Sequence, residues 1–474
     1  MQNSSISRNR KGFCDMPLVS LRFLLFGLPL FLIVYYCIPG KGRQIYIWVG
    51  SFLLYGPGGW TSLLLLIGQL GYVYITGIWL AVLQKQKQKK YRFSSGVILY
   101  FSVSLQIALL LYLRHKADSF PVGTAVRTLQ GIGYLLGIYR KHHPAERNFF
   151  GLGSYLVLFP IIMPYEVFQR QSENLRPDIM VLSDGMGIFI RGLAEKVVLA
   201  DTFGYVFSQL RKILPQDMSM LTAWLTAVIF SMYLYFELLG YSEMTRGLGR
   251  CIGYDLPKNF NHPFFTSGVT VFMQNWNSTL LLWFEKNFRH GFLDIFQKNF
   301  KNNFKKILDC VSFVLMGILI GAWYGAGTQF LLWGLLIGSC LLLEKLWLKK
   351  YWIQKHPVWS GISSGIFLQF LWVLFFSQNF SQTVLYWKAM LGFGNGLTDR
   401  NGLYYFVSYL GLLLIGFYIA TDLFRNIEER FSQAEIGKKM AFFKPVFFGA
   451  LLIFCMAFMI YQKQGETTML FLLI

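Results

Sequence analysis

The stretch ILDCVSFVLMGILIGAWYG, residues 307–325, is apolar over most of its length and carries glycines at positions 317, 321 and 325. Small residues four apart let two helices pack backbone to backbone inside a membrane. This spacing predicts that Tyr324, next to the last of these glycines, points between helices and not towards lipid. A tyrosine packed in this way usually finds one hydrogen-bond partner for its hydroxyl.

Similar apolar runs recur along the whole chain of 474 residues, which is 54% hydrophobic and only 14% charged. A soluble protein would carry about a quarter charged residues. Since about 20 apolar residues cross a bilayer, we expect roughly ten to twelve membrane helices. The runs at 45–55 and 150–163 are too short to span and are expected to be half-helices or re-entrant segments. The predicted fold is an all-α polytopic membrane bundle, with one membrane-embedded domain over residues 1–474.

Two polar regions interrupt the apolar pattern. Residues 1–20 form a short polar N-terminal segment, and residues 254–306 are expected to form an interfacial or cytoplasmic loop region. Within the second region, apolar residues recur at helical spacing over residues 269–284 and a basic stretch follows. This pattern predicts one amphipathic helix that lies at the bilayer surface.

The formal charge of +21 comes from 44 basic and 23 acidic residues. The basic residues lie in short loops between apolar runs, for example at 345–355, as is typical of a cytoplasmic face beside anionic lipids. We therefore expect the lipid bilayer as a partner and no nucleic acid. The six cysteines form no CxxC pair, and no metal site is predicted.

Charged residues inside apolar runs are costly and indicate function by default. Arg191 and Glu195 lie four residues apart, a spacing that pairs side chains on one face of a helix. We favour an internal ion pair that locks two helices over a ligand site at this position.

A second charged group is formed by Glu243, Arg246 and Arg250, whose spacing of three and four places them on one side of a helix. Nearby Gly240 and Gly247 let another group approach the backbone. Two arginines beside glycines can bind a phosphate-bearing donor. They can equally extend their side chains to lipid headgroups.

The order of these segments resembles the membrane-bound O-acyltransferase family, on its alginate O-acetyltransferase branch. The segments that carry the resemblance are FPVG at 120–123, FIRGLAEKVVLAD at 189–201, YFELLGYSEM at 235–244, GLGRCIG at 247–253 and NFNHPF at 259–264. They follow one another in the family's order. The resemblance implies a multi-span fold that encloses the site of acyl transfer.

The resemblance also implies chemistry. Family members transfer an acyl group from a thioester, here acetyl-CoA or another acyl thioester that is not tightly bound, to a hydroxyl of an exported polysaccharide. An extracytoplasmic acetyl-transfer protein is often the partner. The implied catalytic positions are Tyr324 and Asn277, and the implied donor-binding positions are Glu243, Arg246, Arg250 and Trp276.

Both catalytic positions depart from the family pattern. The family's general base is a histidine in "WHG", and Tyr324 takes its place here; a second histidine, in "RWHxSL", is replaced by Asn277. A phenol has a reference pKa near 10, so only about one in a thousand is ionised at pH 7. Loss of a general base typically lowers the rate by about 10² to 10⁴. His262 and His290 are the histidines that could approach the site.

Two hypotheses follow. In the first, the protein is an acyltransferase in which Asn277 orients the acceptor and Tyr324 occupies the position of the base. In the second, it is a non-catalytic membrane component that binds the donor, the glycan or a partner in an exopolysaccharide modification or export system.

Overall fold

The computed structural model describes residues 17–55, 59–86, 89–116, 122–157, 161–173, 175, 178–297, 302–325, 327–421 and 443–463. Of the predicted regions, residues 1–16, 120–121, 158–160 and 298–301 lie outside these ranges. Nearly all of the described residues are helical, which confirms the predicted all-α class.

The described residues divide into two compact units. One unit comprises the residues up to Asp178 together with Ile252–Asp255. Its helices are α1 (Leu28–Cys37), α2 (Gly40–Tyr55), α3 (Gly59–Lys85), α4 (Lys89–Lys116), α5 (Val122–Tyr139), α6 (Phe149–Val157) and α7 (Tyr165–Glu173). Helices α3, α4 and α5 pack on one another in this unit. The single domain that the sequence predicts over residues 1–474 stays a prediction.

The other unit contains Ile179–Cys251 and the described residues that follow Asp255. Its helices are α8 (Ile179–Ala194), α9 (Asp201–Leu210), α10 (Met220–Cys251), α11 (Val269–Asn275), α12 (Ser278–Trp283), α13 (His290–Gln297), α14 (Asn302–Tyr324), α15 (Thr328–Leu343), α16 (Pro357–Phe376), α17 (Phe380–Met390), α18 (Arg400–Ala420) and α19 (Lys444–Lys463). Helix α10 is central, because α8, α9, α16, α17 and α18 all pack against it.

Eight helices among the described residues are long and apolar enough to cross a bilayer, and Phe23–Cys37 is a shorter apolar helix. The protein is therefore a multi-pass membrane protein. The count within these residues is lower than the roughly ten to twelve predicted. The short runs explain part of the difference, since α6 has only 9 residues and spans about 14 Å at 1.5 Å per residue.

The prediction of one amphipathic helix over residues 269–284 is wrong. Helix α11 ends at Asn275 and α12 begins at Ser278, because Asn277 adopts a left-handed backbone with φ 46° and ψ 51°. Asparagine is among the few non-glycine residues that visit this region. Phe272 and Trp276 are also buried in protein, at 0% and 1% exposed. The apolar side of the segment therefore faces a protein core and not the bilayer surface.

Helices α14 and α15 cross in backbone contact, as the glycine spacing predicts. A Cβ atom on Gly317 would collide with the carbonyl oxygen of Gly334, and one on Gly321 would collide with that of Phe330. Any side chain at either glycine would therefore separate the helices. The crossing brings the last residue of α14, Tyr324, against α15.

Helices α8 and α10 meet in the same way. A Cβ atom on Gly192 would lie 2.8 Å from the carbonyl oxygen of Gly240, and one on Gly247 would lie 2.7 Å from that of Gly185. The glycines in α10 were predicted to admit another group to the backbone. The structure identifies that group as helix α8.

The α14–α15 crossing predicts that Gly317→Ala destabilises the protein by about 1–3 kcal/mol, the usual cost of overpacking. This loss should outweigh the better helix propensity of alanine. Thermal unfolding of the detergent-solubilised protein measures the effect. Gly411 in α18 is the matched control, because no atom of the neighbouring described residues lies within 4 Å of its added Cβ. Equal stability of Gly317→Ala and Gly411→Ala would contradict the close crossing.

Candidate functional site

The structure brings Tyr324 and Asn277 together. Tyr324 is only 5% exposed, and its hydroxyl oxygen accepts hydrogen bonds from Trp276 Nε1 and Asn277 Nδ2, each at 3.3 Å. The phenol therefore points between helices, as predicted. It has two hydrogen-bond partners where the sequence predicts one. Trp276, expected from the resemblance to bind the donor, is one of them.

The chain around Asn277 is held at both ends by groups that sequence reasoning missed. The carboxylate of Glu344 accepts hydrogen bonds from the backbone N–H groups of Val269, at 2.6 Å, and Thr270, at 2.7 Å. It thereby anchors the start of α11. Beyond the break, the side-chain amide oxygen of Asn259 accepts a hydrogen bond from the Thr279 hydroxyl at 2.6 Å. These contacts hold the left-handed turn at Asn277 next to the hydroxyl group of Tyr324.

Aromatic rings enclose the phenol. We call Trp276, Tyr324, Trp333, Trp372 and Phe375 the aromatic box. The Tyr324 ring lies 5.7 Å from the rings of both Trp333 and Phe375, and Trp276 lies 4.9 Å from Trp372. The indole N–H groups of Trp333 and Trp372 are buried and have no hydrogen-bond partner among the described residues. The box thus holds more hydrogen-bond donors than acceptors.

The hydrogen bonds around Tyr324 leave its hydroxyl group free to act as a donor. Its oxygen already accepts two N–H groups, while its own proton is donated to no described residue. His262 Nδ1 lies 2.9 Å from the carbonyl oxygen of Ile419, and His290 Nε2 lies 3.4 Å from Arg289. Neither histidine forms a hydrogen bond with the phenol. The site can therefore donate a proton to a carbonyl or hydroxyl oxygen more readily than it can accept one.

Buried charges link α8 to α10. Glu243, which is 4% exposed, lies 2.6 Å from Arg191 Nη2 and also pairs with Arg246. Arg191 lies 3.9 Å from Glu195. The predicted internal ion pair is therefore present, and it extends to a second helix. Arg250 forms no side-chain hydrogen bond or ion pair with a described residue, so the three residues predicted as one donor site differ in their environments.

A second buried cluster centres on Lys196, which sequence reasoning passed over. Lys196 is 1% exposed and pairs with Asp201 and with Glu237, the latter at 2.9 Å. Residues 195–200 form a π-helical turn, whose i→i+5 bonding sets residues 196 and 201 on one side. In the sequence, the spacing of Lys196 and Asp201 is the one feature that could have indicated their pairing. Its third member, Glu237, comes from α10 and could not be assigned without the fold.

Lys196→Met is expected to destabilise the protein by about 3–5 kcal/mol, because the buried carboxylate of Glu237 would lose its counter-ion and the half-buried Asp201 would lose its partner. Thermal unfolding in detergent is the measurement. Lys212→Met removes an exposed lysine from the same unit and should leave stability almost unchanged. If both variants unfold at the wild-type temperature, Lys196 does not hold the π-helical turn at residues 195–200 against α10.

Comparison with known proteins finds several relatives, although no family model matches the chain. The probable alginate O-acetylase AlgI of Pseudomonas putida is 25% identical over 440 residues, which cover 85% of this chain and 87% of that protein. The peptidoglycan O-acetyltransferase of Helicobacter pylori is 26% identical over 59% of this chain and 58% of its own. The teichoic acid D-alanyltransferase of Bacillus subtilis is 30% identical over 28% of this chain and 34% of its own. Together with the helical bundle, these relatives confirm that the chain resembles the membrane-bound O-acyltransferase family, on the branch of the alginate O-acetylases.

Proposed function

We propose that the protein is a membrane component of an envelope-polysaccharide O-acylation system, which binds an acyl donor and a glycan hydroxyl without catalysing the transfer between them. The observation that supports this proposal is that the hydroxyl oxygen of Tyr324 already accepts two hydrogen bonds. Trp276 and Asn277 both donate to it at 3.3 Å. A general base must accept a proton from the reacting hydroxyl, and this oxygen has its acceptor capacity in use.

The surroundings of the phenol support the same proposal. A phenol with a reference pKa near 10 is almost wholly protonated at neutral pH. No described carboxylate or histidine forms a hydrogen bond with Tyr324, so none is placed to take its proton. A neutral phenol in a closed aromatic box is a poor base. We therefore assign this position a binding role in place of catalysis.

The hydrogen-bond donors of the aromatic box are the groups that would bind the ligand. The free proton of Tyr324 and the unpartnered indole N–H groups of Trp333 and Trp372 suit oxygen acceptors such as an acyl carbonyl. Buried donors without partners cost about 1–3 kcal/mol each. An acyl group that satisfied them would recover this free energy. We propose an acyl thioester, such as acetyl-CoA, as the ligand that does so.

The three charged residues expected to bind the donor differ in their ion-pair partners. Glu243 and Arg246 pair with each other, and Glu243 also pairs with Arg191, which supports a structural role for these residues. Arg250, which has no described ion-pair partner, is the better candidate for a phosphate of the donor. A guanidinium group binds phosphate through paired N–H donors.

The proposed acceptor is a hydroxyl of an exported polysaccharide, reached directly or through an extracytoplasmic transfer protein. The relatives support this class of acceptor. Their names assign them to alginate O-acetylation, peptidoglycan O-acetylation and teichoic acid D-alanylation. The polymers differ, but all three names describe acyl transfer to a polymer.

Restoring a histidine tests the proposal. Tyr324→His is expected to raise the transfer of labelled acetyl groups from acetyl-CoA to a hydroxylated glycan by about 10² to 10⁴ over wild type. The reason is that an imidazole offers an acceptor nitrogen that titrates near neutrality. The measurement is the label incorporated into the glycan by purified protein in nanodiscs.

Two variants serve as controls. Tyr386→His makes the same exchange at another buried tyrosine of the same unit, which is 1% exposed, and should produce no transfer. Tyr324→Phe should match wild type at background level. If wild type instead transfers the label and Tyr324→Phe abolishes it, the protein is a transferase and the proposal is wrong.

A further inference from the structure

The unit that contains α1 to α7 has a polar cleft of its own, with a volume of about 100 Å³. This volume is small compared with the roughly 300–1,000 Å³ of usual ligand pockets. The cleft can therefore hold one edge of a ligand and not a whole molecule. The polar residues that line it include Gln44, Glu146, Asn148, Tyr165, Gln169 and Glu173.

Hydrogen bonds and ring contacts hold Tyr165 and Glu146 in place within the cleft. The Tyr165 hydroxyl donates to Glu146 Oε2 at 2.5 Å, and Glu146 Oε1 accepts from the backbone N–H of Asn148 at 2.8 Å. The Tyr165 ring packs edge-on against Tyr134 at 5.0 Å and against Tyr155 at 5.2 Å. Burial raises the pKa of Tyr165, and the hydrogen bond to Glu146 raises it further. The hydroxyl thus keeps its proton and holds the carboxylate in place.

The rim of the cleft offers unused hydrogen-bonding groups. The side chain of Gln44 has no hydrogen-bond partner among the described residues, and the side-chain N–H₂ of Asn148 has none either. The side-chain N–H₂ of Gln169 donates a hydrogen bond to Glu173 at 3.4 Å. The amide oxygen of Gln169 has no partner among the described residues. These groups include donors and acceptors in roughly equal number. A sugar hydroxyl, which both donates and accepts, matches such a mixture.

The charge of the cleft restricts the ligand further. Glu146 and Glu173 line it, and no lysine, arginine or histidine is among its described lining residues. A carboxylate or phosphate on the ligand would meet repulsion without a compensating cation. We infer that this cleft binds the hydroxyl-bearing edge of a sugar unit that carries no negative charge. This inference concerns a separate unit from the one with Tyr324, and it does not rest on the proposed function.

The sugar unit that fits this cleft differs from a unit of alginate. Alginate is a polymer of uronic acids, so each of its sugar units carries a carboxylate. Relatives of this chain are named for alginate, yet this cleft would reject an alginate unit. A neutral or amine-bearing polysaccharide fits it better.

Saturation-transfer difference NMR on the full detergent-solubilised chain tests the inference. The probes are the neutral tetramer of N-acetylglucosamine and the anionic tetramer of mannuronic acid. We expect transfer to the neutral tetramer and none to the anionic one. Gln44→Leu should weaken the binding of the neutral tetramer roughly fivefold or more, since it removes hydrogen bonds to the ligand.

Two comparisons separate binding from folding. Gln86→Leu replaces an exposed glutamine outside the cleft and should bind like wild type. Glu173→Gln keeps the hydrogen-bonding shape, removes one negative charge and should admit the mannuronate tetramer. Thermal unfolding at the wild-type temperature shows that each variant is folded. Equal binding of both tetramers to wild type, failure of the neutral tetramer to bind, or unchanged binding in Gln44→Leu would each overturn the inference.

Discussion

Two N–H groups, from Trp276 and Asn277, converge on the hydroxyl oxygen of Tyr324, and the arrangement of the candidate site depends on this contact. It joins the end of α14 to the break between α11 and α12. Without the phenol oxygen, Trp276 would become a further buried indole without a partner, beside Trp333 and Trp372. The phenol therefore has a structural reason to be present that is independent of catalysis.

Other contacts in the same unit fix the positions of these groups. Backbone contact at Gly317 and Gly321 fixes α14 against α15. Glu344, which directly follows α15, holds the first N–H groups of α11. The same pair of helices thus carries Tyr324 and anchors the segment that bears its partners. Buried ion pairs likewise join α10 to α8, through Arg191 and Glu243, and to the π-helical turn that follows α8, through Lys196 and Glu237.

Much of this could be predicted from sequence, because some signals are local. Apolar runs predict the all-α membrane fold, the glycines at 317 and 321 predict the α14–α15 crossing, and the spacing of Arg191 and Glu195 predicts their pair. The break at Asn277 could not be predicted, since apolar residues continue at helical spacing across it. Contacts with residues far along the chain hold that break. For the same reason, the pairing of Lys196 with Glu237 required the fold.

The binding role proposed for Tyr324 requires a phenol that stays neutral and acts as a hydrogen-bond donor. Labelling the ζ-carbon of tyrosine with ¹³C, and assigning Tyr324 by the signal lost in Tyr324→Phe, measures its charge directly by NMR. We expect the chemical shift of a neutral phenol from about pH 6 to about pH 9. A shift towards the phenolate position with a midpoint near neutral pH would identify a working base and rule out the proposed binding role.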